Sequence, residues 1–158
     1  MTPAIPAVGL GFDVHPFGDG GTLVLGGVRF EGTPALAGHS DGDAVAHAVA
    51  DALLGAAGLG DLGALFPASD PQYAGADSIA LLRDVVSRVT SAGYWVGNVD
   101  VAVAAEAPRL ADSIAAMQTA LSDAVGARVT VKPKFAEGLG SIGRGEGIAV
   151  WAIAYLGR

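Results

Sequence analysis

With 158 residues the chain is the size of one domain and can bury a real core. It is 51% apolar and only 16% charged, and its formal net charge of -7 argues against a non-specific nucleic-acid binder. The lack of cysteine removes disulfides, thiolate ligands and cysteine nucleophiles together, so a metal site must be built from His, Asp and Glu.

Taken in chain order, the N-terminal nine residues lack the basic start and long apolar stretch of a signal peptide, so a cytoplasmic location is expected. Residues 7–15 read as a strand, with Phe12 and Val14 on one face and Asp13 and His15 on the other. Residues 22–30 form an extended stretch that bends or turns back at Gly26-Gly27. Residues 39–58 take helical spacing, and Ser40 followed by Asp43 resembles a capping box with Asp in place of Glu. A Gly/Pro/Asp-rich loop at 58–77 is long for a domain of this size, and such loops tend to be functional. Residues 77–93 have an Asp-Ser start, helical apolar spacing and a terminal Gly; 94–107 read as a strand. A helix over 108–126 is expected to start with Pro in its first turn, and strands at 128–135 and 147–156 flank a Gly-rich connection, 138–147.

This inventory predicts one domain over 1–158 of the α/β class (α+β, two layers). A mixed sheet would carry the helices on one face. No apolar run approaches the ~20 residues of a membrane span, so no membrane partner is expected. The apolar excess points instead to self-association through the uncovered side of the sheet.

Asp13 and His15, two apart on a strand, present a carboxylate and an imidazole to one face, two-thirds of an N/O metal site. The alternative is a histidine hydrogen-bonded to a strand-end aspartate. Asp43, His47 and Asp51 recur at i, i+4 and i+8 along a helix otherwise rich in Ala, Val and Leu. Charged groups on such a stripe are costly unless solvated, paired or ligating. Spacing leaves His39 and His47 as alternatives for the third ligand. The Gly-rich segment after Lys132 and Lys134 suits phosphates, but it carries no Walker or dinucleotide pattern.

In order along the chain, GFDVHPFG, the long run from AGHSDGD to GADS, GYWVGNVDV with EAPRL, and GRGEGI resemble the 2-C-methyl-D-erythritol 2,4-cyclodiphosphate synthases from about Gly11 onward. The resemblance implies a homotrimer with active sites between subunits, and it makes Asp13, His15 and His47 ligands of a zinc ion. It makes His39 and Glu137 catalytic, with Glu137 also a ligand of magnesium or manganese. Val14, His39 and Ser40 would contact a nucleotide-linked substrate. Asp61, Leu62, Gly63, Phe66, Pro67, Ala68, Ser69 and Asp70 would hold its methylerythritol portion.

The cytidine diphosphate pocket would come from the adjacent subunit, through Ala105, Glu106, Ala107, Pro108, Arg109, Leu110 and Ala111. The same subunit would add Lys134, Phe135, Ala136 and Glu137, with Ser141 and Arg144 nearby. Phe12, Arg144 and Glu146 would line a cavity on the trimer axis able to take an isoprenoid diphosphate; an intersubunit ion pair is the alternative for the last two. The implied reaction is a cyclising phosphorus–oxygen lyase step that releases CMP. Two positions depart from the family pattern: Phe135 stands where a phosphate-binding Thr is usual, and Ser141 where Phe or Tyr is. A metal-dependent phosphohydrolase and a non-catalytic isoprenoid-diphosphate binder are the competing readings.

Overall fold

A computed structural model describes residues 5–158, so the reading of the N-terminal segment rests partly on residues that lie outside the described ones. Apolar alternation makes β1 (Ala7–Pro16), and the next extended stretch folds into β2 (Leu23–Leu25) and β3 (Val28–Phe30). Gly26 and Gly27, at φ 56° and 76°, form the two-residue turn between them, a backbone region open chiefly to glycine. Then come α1 (Ala44–Ala57), the single-turn α2 (Leu62–Leu65) and α3 (Ser78–Ser91). The chain ends with β4 (Trp95–Ala104), α4 (Ile114–Val125), β5 (Arg128–Lys134), the single-turn α5 (Gly140–Gly143) and β6 (Gly147–Gly157).

The main sheet has the order β1-β6-β4-β5, antiparallel except for the parallel β4–β5 pair. It is therefore mixed, as expected. One face carries Val99, Val101, Val103, Val129, Val131, Ile148, Val150 and Leu156, all buried. Helices α1 and α4 pack onto it, bringing Val45, Val49, Leu53, Met117 and Leu121 into the core, and α3 adds Leu82 and Val85 from its place against α1 and α4. On the other face Val8, Leu10, Phe12, Val14, Trp151, Ile153 and Tyr155 stand exposed. Toward β5 that face turns polar, with Asp100 accepting from Thr130 Oγ1 at 2.7 Å and from Lys132 Nζ at 2.5 Å. Among the described residues no helix is long and apolar enough to cross a membrane.

Helix α1 lies directly on β1 because β1 has no side chain at two inward positions. A Cβ on Gly9 would overlap the backbone of Ala52 and Ala56, and one on Gly11 the backbone of Ala48 and Ala52. The stripe Ala48, Ala52, Ala56 recurs every four residues, so small groups face small groups along the whole contact. This approach brings the start of α1 against the end of β1.

Two helix starts differ from expectation. Helix α1 begins at Ala44, and Ser40 with Asp43 is not a capping box: Asp43 is itself the N-cap, accepting from Val45 N and Ala46 N. Helix α4 begins at Ile114 rather than at Pro108, after a 3-10 turn at Ala111–Ser113. The residues from Pro108 to Leu110 instead wall a concavity at the β4–β5 end of the sheet.

Candidate metal centre

The two-residue period of β1 turns Asp13 and His15 inward, and the first turn of α1 presents His47 to them. Asp13 Oδ1 lies 3.0 Å from His15 Nε2, and Asp13 Oδ2 lies 3.0 Å from His47 Nδ1. One ligand atom from each residue falls within 4.8 Å of the others. Burial pushes the pKa of Asp13 up, but the imidazoles of His15 and His47 beside it outweigh that and bring it to about 2. The hydrogen bond with Asp13 raises the His15 pKa, against a smaller opposing effect of burial.

On its far side His47 Nε2 meets two hydroxyls, Ser78 Oγ at 2.8 Å and Ser40 Oγ at 3.0 Å. Ser78 Oγ donates in turn to Asp41, and Ser78 N donates to the same carboxylate at 3.0 Å. Neither Ser78 nor Asp41 figures among the sequence candidates. Ser78 follows the true cap of α3, Asp77, so in sequence it reads as part of a helix start.

A cleft of about 420 Å³ opens beside these groups, lined among others by Phe12, Gly38, His39, Ser40, Asp51, Asp61, Leu62, Gly63, Phe66, Ala68, Tyr73 and Leu81. The long loop is shaped by its own aspartates. Asp61 accepts from Ala64 N at 2.7 Å, and Asp70 caps the 3-10 turn Pro71–Tyr73 through Gln72 N at 3.0 Å. Asp51, on the helix stripe, accepts from Leu62 N at 3.3 Å and ties α2 to α1. His39 Nε2 lies 3.1 Å from the carbonyl of Asp70, which joins the two walls.

The cleft lining includes Asp13, Asp51 and Asp61 but no Lys or Arg. A phosphate placed there would meet like charges, at a cost of about 4 kcal/mol per 4 Å pair at a surface-like dielectric. Two imidazole nitrogens and a carboxylate oxygen that converge in such a place fit a divalent cation, in the three-ligand form that leaves an open position.

Other candidates fall elsewhere. The Val14 side chain points to the outer face of the sheet, and only its amide approaches the centre, donating to Asp13 Oδ1 at 3.1 Å. Ala105, Glu106, Pro108, Arg109, Leu110, Ala111, Lys134 and Phe135 line a second concavity of about 520 Å³, which shares no lining residue with the cleft. Glu106 shapes its rim by accepting from Ala136 N at 2.6 Å. Glu137 is exposed and takes a left-handed φ of 55°. Ser141 and Arg144 line neither concavity. Arg144 Nε donates to Glu146 Oε1 at 2.6 Å within the one chain, and both side chains are exposed. The Phe12 ring packs at a tilt against Trp151, with ring centroids 5.3 Å apart and planes at 46°.

A model of the YgbB family matches residues 7–157. A bifunctional enzyme IspD/IspF from an Anaeromyxobacter species is 51% identical over 155 residues, 96% of this chain and 40% of that protein. The chain thus spans about two-fifths of the length of that relative. A 2-C-methyl-D-erythritol 2,4-cyclodiphosphate synthase of Pectobacterium atrosepticum is 52% identical over 152 residues, 94% of this chain and 92% of the relative. Among solved structures, IspF of Plasmodium falciparum in complex with CDP superposes with a TM-score of 0.82 at 31% identity, covering 96% of this chain and 95% of that one.

Proposed function

The chain belongs to the YgbB family, and from that premise we propose that it is a 2-C-methyl-D-erythritol 2,4-cyclodiphosphate synthase. The observation that carries this reading is the convergence of Asp13, His15 and His47 at the wall of a cleft with no basic side chain. Asp13, His15 and His47 would hold zinc, and Glu137 would take part in a magnesium or manganese site; as Lewis acids, such ions would neutralise charge on phosphate oxygens.

The substrate is 4-diphosphocytidyl-2-C-methyl-D-erythritol 2-phosphate. A 2-phosphate oxygen attacks the diphosphate phosphorus nearer the erythritol. The bond from that phosphorus to the bridging oxygen breaks, CMP leaves with the electron pair, and an eight-membered ring closes. The chain's own residues hold both ends together, a service worth up to ~7–11 kcal/mol when the geometry is good. Asp61, the following turn and Phe66 enclose the methylerythritol portion, while His39 and Ser40 face the phosphates.

The concavity at Glu106, Arg109 and Phe135 receives the cytidine diphosphate from a neighbouring subunit of a homotrimer. Two features support that assembly: the two concavities are separate within one chain, and a broad apolar sheet face is uncovered. An isoprenoid diphosphate on the trimer axis would meet the Arg144–Glu146 pair. Because the substrate carries several phosphate charges and does not cross membranes unaided, we place the reaction in the cytoplasm.

Incubation with the substrate, zinc and magnesium, followed by phosphorus NMR, is expected to show a cyclic diphosphate and CMP. In His47→Ala the rate is expected to fall by about 100-fold or more. An open-chain phosphate as the product would support a hydrolase instead.

A further inference from the structure

The hydroxyl of Ser78 is buried, lies off the cleft lining, and touches neither substrate groove, yet it sits against a metal ligand. The nearest acceptor for its proton is the Asp41 carboxylate, with Ser40 Oγ farther off at 3.4 Å. The Asp41 carboxylate has no hydrogen to give, and it gathers Ser78 N at 3.0 Å, Asp43 N at 3.1 Å and the Ser78 hydroxyl itself. With that proton committed, Ser78 Oγ can offer only lone pairs to His47 Nε2, 2.8 Å away. The hydrogen between them must therefore belong to the imidazole. Ser40 Oγ, 3.0 Å from the same nitrogen, can share it.

A neutral imidazole has a single N–H. If Nε2 carries it, Nδ1 is bare, and Nδ1 is the atom 3.0 Å from Asp13 Oδ2. A lone pair against a carboxylate oxygen is repulsive unless a cation lies between them. We propose that Ser78 and Asp41 are positioning residues that hold His47 as its Nε2–H tautomer, so that its Nδ1 lone pair is ready for the metal ion.

The opposite tautomer is the competing state. It would place an Nδ1–H on Asp13, satisfying the carboxylate with a proton and closing the site to metal. The link from Asp41 through Ser78 tips the balance by giving Nε2–H the better acceptor. Partners of this kind behind a ligating histidine typically change metal affinity by 10–100-fold when removed. The inference rests on Asp13, His15 and His47 being the ligands, but it is read without turnover.

The test uses Ser78→Ala and, as a second route to the same break, Asp41→Asn. Nitrogen-15 NMR of the imidazoles, recorded on metal-free protein at alkaline pH where imidazole is neutral, reports the tautomer directly. The native protein is expected to show His47 as Nε2–H, and Ser78→Ala to shift it toward Nδ1–H. Zinc affinity, measured by competition with a chromophoric chelator, is expected to weaken about 10–100-fold in both variants. Native His47 found as Nδ1–H would overturn the proposal, as would variants that keep the native tautomer and bind zinc within about 2-fold of native. If Ser78→Ala fails to fold, Asp41→Asn and the native tautomer still decide. If native protein does not bind zinc, it is the ligand assignment that fails, and the metal-free spectrum still judges the relay.

Discussion

Asp43 is fully buried and is asked only to accept. Val45 N and Ala46 N donate to it from α1, and Gly26 N and Gly27 N donate from the hairpin at 2.8 and 2.7 Å. One carboxylate thus starts the helix that bears His47 and pins a second sheet to it. Burial pushes its pKa up to about 6, with the amides of Ala46, Gly27 and Gly26 pulling it down and Asp41 adding to the rise. An acid whose folded pKa exceeds its unfolded value, about 4, binds more protons when folded. Its contribution to stability is therefore complete below about pH 4 and is lost as pH rises through about 6. In Asp43→Asn one amide group must face donors with a donor, at an expected cost of about 1–3 kcal/mol at neutral pH. Urea unfolding at pH 7 should show that loss, and a variant as stable as the native protein would contradict the role given to the four amides. Sequence spacing alone suggested Ser40 as the partner in this cap, because Ser and Asp are both good caps and the glycine amides that decide between them arrive from another element. Asp13 and His15 were legible for the opposite reason: a strand's period of two needs no tertiary information.

The contact of α1 with β1 decides whether the third ligand reaches the other two. Gly9 and Gly11 look in sequence like any small residues of a strand, and only their approach to Ala48, Ala52 and Ala56 shows that a methyl group has no room. Gly11→Ala would push α1 away beside Ala48, one residue from His47; Gly9→Ala would do so beside Ala52 and Ala56, about one to two turns further on. Overpacking of this kind costs about 1–3 kcal/mol, so both variants should melt lower by comparable amounts. Zinc affinity should separate them, falling clearly in Gly11→Ala and little in Gly9→Ala; equal losses would mean that the helix moves as a rigid body. The start of α4 was misplaced for a related reason. Pro108 is well suited to a first helical turn, but here the segment before Ile114 serves the wall of the second concavity.

On the scale of the whole molecule, the sheet divides its faces by chemistry. Helices cover one, while the other runs from exposed Val8, Leu10, Phe12, Trp151 and Ile153 on β1 and β6 to the Asp100–Lys132 pair on β4 and β5. Burying each large apolar side chain is worth about 1.5–3 kcal/mol, so a contiguous group of this size strongly favours a protein partner over water. The proposed function asks for the same thing: the metal cleft and the Glu106–Phe135 concavity share no lining residue in one chain and would form a single site only where neighbouring copies bring them together. Leu10 and Ile153 are directly opposed on β1 and β6, and both are more than half exposed, at 65% and 53%. Changing both, Leu10→Asp with Ile153→Asp, removes apolar contact and sets like charges side by side, while no core residue is touched. The double variant should sediment as a monomer, whereas the native protein is expected to sediment as a trimer. It should keep its far-ultraviolet circular dichroism and its zinc affinity, because Asp13, His15 and His47 all belong to one chain, and lose cyclisation, because the cytidine end of the substrate would have no wall to rest on. A monomer that still releases CMP at the native rate would place the whole active site within one subunit.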